Sequence, residues 1–127
     1  MQTNELTSTI VGAAIKVDRA LGPGLLESAY RACLAYELRK LGLRVDEERP
    51  IPLIYEGMKL DCGFRADLLV EDLVVVECKA KEKLHPVEQA QVLSHLRILG
   101  LQVGLLINFH ELVLKDGIQR IVNNYRE

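Results

Sequence analysis

Apolar residues near the start of the chain recur every three or four positions, which is the period of a helix packed on one side. This spacing predicts a first helix over residues 4–21, on the apolar positions Leu6, Ile10, Ala14, Val17 and Leu21. The glycine-proline-glycine segment 22–24 breaks the pattern. A second helix is predicted from Leu25 to Leu41, and Gly42 is well placed to end it.

The middle of the chain alternates apolar and polar residues instead, which is the period of a strand. Alternation over residues 51–55, a turn at Glu56-Gly57 and a return over Met58 to Cys62 predict a hairpin. Two further strands are predicted, Phe64 to Val70 and Leu73 to Ala80. We expect neighbouring strands of this region to pair in antiparallel fashion.

The last third of the chain combines one more helix with short strands. His85-Pro86 opens a helix that ends near Gly100, and the apolar run Val103 to Phe109 is short enough for a buried strand. Residues 112–122 predict a terminal hairpin around the turn Lys115-Asp116-Gly117. The pattern as a whole predicts an α/β fold.

Composition and charge narrow the class of protein. The 127 residues are 49% hydrophobic and 27% charged, which is typical of a folded domain, and we expect residues 1–127 to form a single domain. The net charge of −2 argues against a strongly basic nucleic-acid coat protein, but not against a nuclease whose metal ion supplies positive charge locally. The three cysteines form no CxxC pair and no apolar run reaches membrane-spanning length. We therefore expect a cytoplasmic protein with reduced thiols and no membrane partner.

Acidic residues occupy two neighbouring predicted strands at positions that the strand connection brings together. A connection over residues 71–73 keeps the apolar residues of both strands on one face of the sheet. A two-residue turn would put the acidic residues of the two strands on opposite faces. With the connection over residues 71–73, Asp67 lies directly opposite Glu77. Lys79, two residues farther along, projects from the same face.

This juxtaposition has a chemical consequence. Two adjacent carboxylates repel each other, so one must take up a proton or the pair must bind a cation. Oxygen ligands at this spacing suit a hard divalent ion, Mg²⁺ or Mn²⁺. A lysine beside such an ion can orient a water or stabilise charge on a phosphoryl group, so the pattern favours metal-assisted phosphodiester hydrolysis. The alternative is a solvent-facing surface on which these residues and Arg65 form ion pairs.

Glu27 stands within the apolar stripe of the second predicted helix, which includes Tyr30, interpreted as a core residue, and Leu34. A carboxylate that faces a core needs a partner. One interpretation is a third acidic group directed at the metal site. The other is a first-turn carboxylate that accepts free helix N–H groups, and the residues alone leave both open.

Five short segments carry a family resemblance. The segment Gly24-Leu25-Leu26-Glu27-Ser28-Ala29-Tyr30 is followed in order by segments over residues 65–70, 75–80, 90–91 and 103–109. Together they resemble the motifs of the GxxExxY proteins, a bacterial and archaeal family placed in the PD-(D/E)XK nuclease superfamily. The resemblance implies a restriction-endonuclease-like core, in which α-helices flank a mixed β-sheet.

The resemblance also implies roles for individual residues. Asp67 and Glu77, together with the backbone carbonyl of Cys78, would bind the metal ion. Lys79 would be the catalytic lysine. Glu27 would hold the metal ion directly or through a water molecule.

Two residues of the third predicted helix complete the implied site. Gln91 matches the glutamine of the Q-x-x-x-Y motif of the RecB-like branch, where it positions the substrate or the water. His95 stands in place of the tyrosine of that motif, on the same helix face as Gln91. A histidine can donate a hydrogen bond and carry a positive charge, so contact with a phosphate is one interpretation; a packing residue beside the apolar stripe is the other.

Three alternating lysines follow the acidic pair. If the strand continues through Lys79, Lys81 and Lys83, they form a basic strip that could contact a nucleic-acid backbone, and the alternative is a solvated strand end. We predict a nuclease that depends on Mg²⁺ or Mn²⁺ and cleaves DNA, in preference to RNA, without strong sequence specificity. A homodimer or a protein partner would complete its substrate channel. The alternative function is a catalytically idle nuclease fold that binds nucleic acid or protein.

Overall fold

A computed structural model of the chain describes residues 1–61 and 64–126 and shows a five-stranded sheet with helices on both faces. The helices are α1 (Thr3–Leu21), α2 (Glu27–Lys40) and α3 (Pro86–Leu99). The strands of the sheet are β1 (Val45–Pro50), β4 (Arg65–Val70), β5 (Val74–Lys79), β6 (Val103–Asn108) and β7 (Ile118–Val122). The separate hairpin consists of β2 (Leu53–Tyr55) and β3 (Met58–Leu60), and a short 3₁₀ helix covers Leu114–Gly117.

The sheet is mixed, with the strand order β1-β4-β5-β6-β7. β5 and β6 are parallel, and α3 forms the crossover that a parallel connection requires. The other neighbours in the sheet are antiparallel. The expected α/β class, a mixed sheet flanked by helices, is confirmed.

Two apolar layers cover the two faces of the sheet. One face packs under α1 and α2, through residues that include Leu6, Ile10, Leu34, Leu38, Leu68 and Val76. The other face packs under α3, through Leu69, Val75 and Leu96. Because side chains alternate along β5, Glu77 and Lys79 project toward the α3 side with Val75.

Strand β1 was absent from the sequence prediction. Its residues are Val45 followed by Asp-Glu-Glu-Arg-Pro, and Val45 alone is buried. β1 is an edge strand that pairs with β4, so it needs no apolar alternation of its own. The predicted hairpin over 51–62 is confirmed for β2 and β3, and Cys62, its predicted last residue, lies outside the described residues.

The predicted terminal hairpin is wrong. Leu112 is 93% exposed and Val113 is 58% exposed, and the chain forms a 3₁₀ turn over Leu114–Gly117 where a strand was expected to end. β7 instead returns to the free edge of β6 and pairs from Val103↔Val122 to Ile107↔Ile118. The fully buried strand β6 offers a better partner than the exposed Leu112 and Val113 do.

The tight packing of α3 on the sheet depends on Gly104, where a β-carbon would lie 2.7 Å from Cγ1 of Val92 and 3.3 Å from the carbonyl oxygen of Val75. Gly104→Ala is expected to lower the free energy of unfolding by about 1–3 kcal/mol, because α3 must move away from β6. Urea denaturation measures this loss. The matched control is Gly12→Ala in α1, where a β-carbon meets nothing within 4 Å and should stabilise the helix by about 0.5–1 kcal/mol. Equal midpoints for Gly104→Ala and the unchanged protein would contradict the tight contact.

Candidate active site

The two acidic strands pair in the predicted register. The observed partners are Val70↔Val74, Leu69↔Val75 and Leu68↔Val76, which places Asp67 opposite Glu77. The regular ladder stops before this pair. In its place the Asp67 N–H donates to a Glu77 carboxylate oxygen at 3.2 Å, and the Cys78 N–H donates to an Asp67 carboxylate oxygen at 2.8 Å. The carboxylates therefore accept main-chain hydrogen bonds and are fixed side by side between the strands.

Burial and mutual repulsion both disfavour the state in which the two carboxylates of this pair are ionised. Glu77 is buried and Asp67 is partly buried. Burial is the largest cause that raises the pKa of Asp67 from 3.8 to about 7, and the charge of Glu77 is the next. The Cys78 N–H opposes this rise in the pKa, and the charge of Glu27 adds to it. A cation bound to the pair would displace the proton that Asp67 otherwise holds.

Glu27 acts on this pair from the start of α2. Its charge raises the pKa of both Asp67 and the buried Cys78 thiol, after the larger effects of burial and of the pair itself. The N-cap of α2 is Leu26, which has no side-chain cap. Among the described residues no hydrogen bond supports the interpretation of Glu27 as a helix cap, although Glu27 lies in the first turn of α2. Its role as a third acidic group of the site stays a prediction.

Tyr30 explains why Glu27 is placed there, and sequence reasoning treated it only as a core residue. It is fully buried, and its ring stacks on Phe109 with ring centroids 4.5 Å apart. Its hydroxyl donates to the Gly22 carbonyl at 2.6 Å and accepts from the Leu25 N–H at 3.1 Å. The loop before α2 is thus tied to the core. Gly22 and Gly24 have positive φ, which favours glycine there.

Lys79 ends β5 on the side of the acidic pair and is partly buried. Its carbonyl accepts the Phe109 N–H at 2.8 Å. The buried Asn108 holds the chain just beyond it, because its side chain accepts from the Lys81 N–H and donates to the Lys81 carbonyl. The sequence signal for this role is an asparagine at the end of an apolar strand.

The three lysines do not share one strand edge, because β5 ends at Lys79. The Lys81 Nζ lies 2.9 Å from the Glu88 carboxylate, which also accepts the His85 N–H at the start of α3. Lys83 is exposed. The condition for a basic strip, a strand that continues to Lys83, is therefore not met. Contact of Lys81 and Lys83 with a nucleic acid stays a prediction.

Gln91 and His95 lie one turn apart on α3, and their environments differ. His95 is 9% exposed, and its Nδ1 lies 3.4 Å from the Glu77 carboxylate without a hydrogen-bond partner among the described residues. The Phe64 ring meets the His95 ring edge-on at 6.4 Å. Gln91 is exposed. The structure thus places His95 against the acidic pair, and its contact with a nucleic acid stays a prediction.

The donor set decides which metal ion the site fits. Within residues 1–61 and 64–126, no three His, Cys, Asp or Glu side chains are arranged to hold a metal ion. Mg²⁺ fits, because it is commonly bound through one or two carboxylates, with waters and substrate phosphates as its other ligands. The raised pKa of Asp67 marks the same place as one that favours an added cation.

Comparisons with known proteins identify the family of the chain. Searches of curated proteins and of solved structures each found no match. No helix among the described residues has the length and apolar character needed to cross a membrane. A family model of the PD-(D/E)XK nuclease superfamily matches residues 4–121, and the mixed sheet between helices agrees with the restriction-endonuclease-like core of such proteins. The chain therefore belongs to the PD-(D/E)XK nuclease superfamily.

Proposed function

We propose that the protein is a Mg²⁺-dependent nuclease that hydrolyses phosphodiester bonds of DNA, in preference to RNA, without strong sequence specificity. The observation that carries this proposal is the Asp67–Glu77 pair, which main-chain hydrogen bonds hold together on the same side of the sheet as Lys79. Such a pair costs stability unless a cation occupies it. The presence of such a pair in a nuclease-superfamily chain favours metal-assisted chemistry over an idle fold.

Each residue has the role that the family resemblance implies. Asp67 and Glu77, with the Cys78 carbonyl, would bind Mg²⁺ or Mn²⁺, and Glu27 would contact the ion directly or through water. When bound, the ion supplies Lewis-acid stabilisation of charge on the phosphate. Lys79 would orient the attacking water and donate a hydrogen bond to a phosphate oxygen. Gln91 would position the substrate.

Within the superfamily, we assign the chain to the GxxExxY family. The described contacts support this assignment with a physical account of the signature. Gly24 adopts a positive φ in the loop before α2, Tyr30 ties that loop to the core, and Glu27 begins the helix on the side where its charge reaches Asp67. Each residue of the signature thus contributes to the placement of one carboxylate.

The direct test is a cleavage assay on labelled linear, circular and single-stranded DNA and on RNA, with Mg²⁺, Mn²⁺ or EDTA. We expect Mg²⁺-dependent cleavage of DNA that EDTA abolishes. RNA cleavage alone would overturn the choice of DNA. If nothing is cleaved although calorimetry detects bound Mg²⁺, a second copy or a partner protein is needed to complete the channel. If there is neither cleavage nor metal binding, the protein is a catalytically idle nuclease fold that binds nucleic acid or protein.

Glu27→Gln is expected to weaken Mg²⁺ binding by about tenfold, because it removes one of the negative charges that act on the pair. Isothermal titration calorimetry measures the affinity. Glu37→Gln supplies the control on the same helix, where the carboxylate pairs with Lys16 and should not influence the metal. Unchanged Mg²⁺ affinity in Glu27→Gln would remove Glu27 from the site.

A further inference from the structure

A groove of about 370 Å³ opens between α3 and the hairpin strand β2, next to the candidate active site. Its apolar lining includes Leu53, Phe64, Val87 and Ile98. Three of these are unusually exposed for apolar residues: Val87 at 60%, Phe64 at 43% and Ile98 at 38%. A concave, mainly apolar site of this size suits a small, flat organic group.

Polar groups occur at one side of this groove, where α3 faces the acidic pair. Gln91, Ser94 and His95 line it there, and His95 also lies 3.4 Å from the Glu77 carboxylate. The Gln91 amide can donate and accept hydrogen bonds at once, as the edge of a nucleobase requires. The groove therefore adjoins the site proposed to cleave phosphodiester bonds, with the His95 ring between the two.

Phe64 separates the groove from a second hollow that carries positive charge. That hollow is lined by Phe64 and by three exposed charged residues, Lys59, Arg65 and Asp61, so that the two cations outnumber the one carboxylate. An exposed aromatic ring between two cations and an apolar groove has the charge and shape to receive a nucleotide. The phosphates can lie along the cations while the base stacks on the ring.

We propose that this groove, named here the Phe64 groove, binds an unpaired nucleobase of the substrate strand beside the cleaved bond. The inference rests on the proposed nuclease function and makes its substrate class more specific. A base inside a duplex is stacked on its neighbours and cannot enter a groove in the protein without leaving the stack. The nuclease accordingly acts on single-stranded or locally unpaired DNA.

The test compares a short labelled oligothymidylate with an abasic oligomer of the same length and charge. Fluorescence anisotropy gives both affinities, with Ca²⁺ in place of Mg²⁺ to suppress cleavage. Stacking on one aromatic side chain should make the oligothymidylate bind between about 5 and 150 times more tightly. Phe64→Ala should remove this advantage and leave binding of the abasic oligomer unchanged.

Two control variants separate stacking from general apolar contact and from misfolding. Phe64→Tyr keeps the ring and should keep the preference for the oligomer with bases. Leu112→Ala removes an apolar residue that is 93% exposed and lines a different hollow, and it should change neither affinity. Because Phe64 is partly exposed, Phe64→Ala should fold, and its thermal unfolding curve checks this.

The outcomes distinguish failure of this inference from failure of the proposed function. Equal affinity for the two oligomers, together with Mg²⁺-dependent cleavage, overturns the base-binding groove and leaves the nuclease standing. Equal weakening of both oligomers by Phe64→Ala overturns the groove in the same way. Absence of binding to either oligomer also overturns it, and the cleavage assay then decides the nuclease function independently. If sedimentation shows that Phe64→Ala dissociates a dimer, the groove is a self-association surface instead.

Discussion

Lys79→Ala is expected to lower kcat for DNA cleavage by about a hundredfold to a thousandfold and to change Mg²⁺ affinity little. The loss equals that of one well-placed donor to charge that develops in the transition state. Lys79 ends β5 two residues after Glu77, and Asn108 fixes the chain that follows it. Single-turnover cleavage of labelled DNA measures the loss, and calorimetry measures the metal affinity.

Two variants serve as controls for Lys79→Ala. Lys115→Ala removes an exposed lysine from the 3₁₀ turn and should keep full activity. Lys79→Arg keeps the positive charge but replaces a compact ammonium group with a planar guanidinium, so we expect partial activity. Full activity in Lys79→Ala would exclude the lysine from catalysis.

The acidic pair is the part of the site that sequence pattern predicted best. Its position depends on local physics alone: alternation along β4 and β5 and a connection of three residues. A register shifted by one residue would put Asp67 and Glu77 on opposite faces of the sheet. The buried apolar residues exclude that register, because it would also separate the apolar residues of the two strands. Because β5 is buried on both faces, its apolar residues fix the register, and the register can be predicted from the sequence.

Features that depend on distant parts of the chain could not be predicted in this way. The edge strand β1 carries almost no apolar signal, and β7 pairs with β6 across an intervening segment in which Leu112 and Val113 are exposed. The double hydrogen bond of the Tyr30 hydroxyl depends on a loop conformation at Gly22 to Leu25. The pairing of Lys81 with Glu88 depends on where β5 ends, which alternating lysines do not indicate.

The largest expected effect comes from Asp67→Asn, which should abolish Mg²⁺-dependent cleavage because an amide is a poor ligand for the ion and cannot balance its charge. In the absence of metal ions, the same variant should also change how the free energy of unfolding depends on pH. The pKa of Asp67 is raised from 3.8 to about 7, so the folded protein holds a proton that the unfolded chain releases between these pH values. This contribution to the free energy of unfolding is complete below about pH 4 and is lost as the pH rises through 7.

Thermal unfolding in EDTA at a series of pH values measures this effect. The unchanged protein should lose on the order of 1 kcal/mol between pH 5 and pH 8 from this group, after allowance for partial solvent screening. Mg²⁺ should restore most of the loss at pH 8, because the ion replaces the proton between Asp67 and Glu77. Asp67→Asn should lack both the pH-dependent loss and the restoration by Mg²⁺, whereas Asp116→Asn, at an exposed position, should keep both. If Asp67→Asn cleaves DNA or shows the same Mg²⁺-dependent stabilisation at pH 8, the metal ion binds elsewhere, because the carboxylate that this structure holds against Glu77 is then not its ligand.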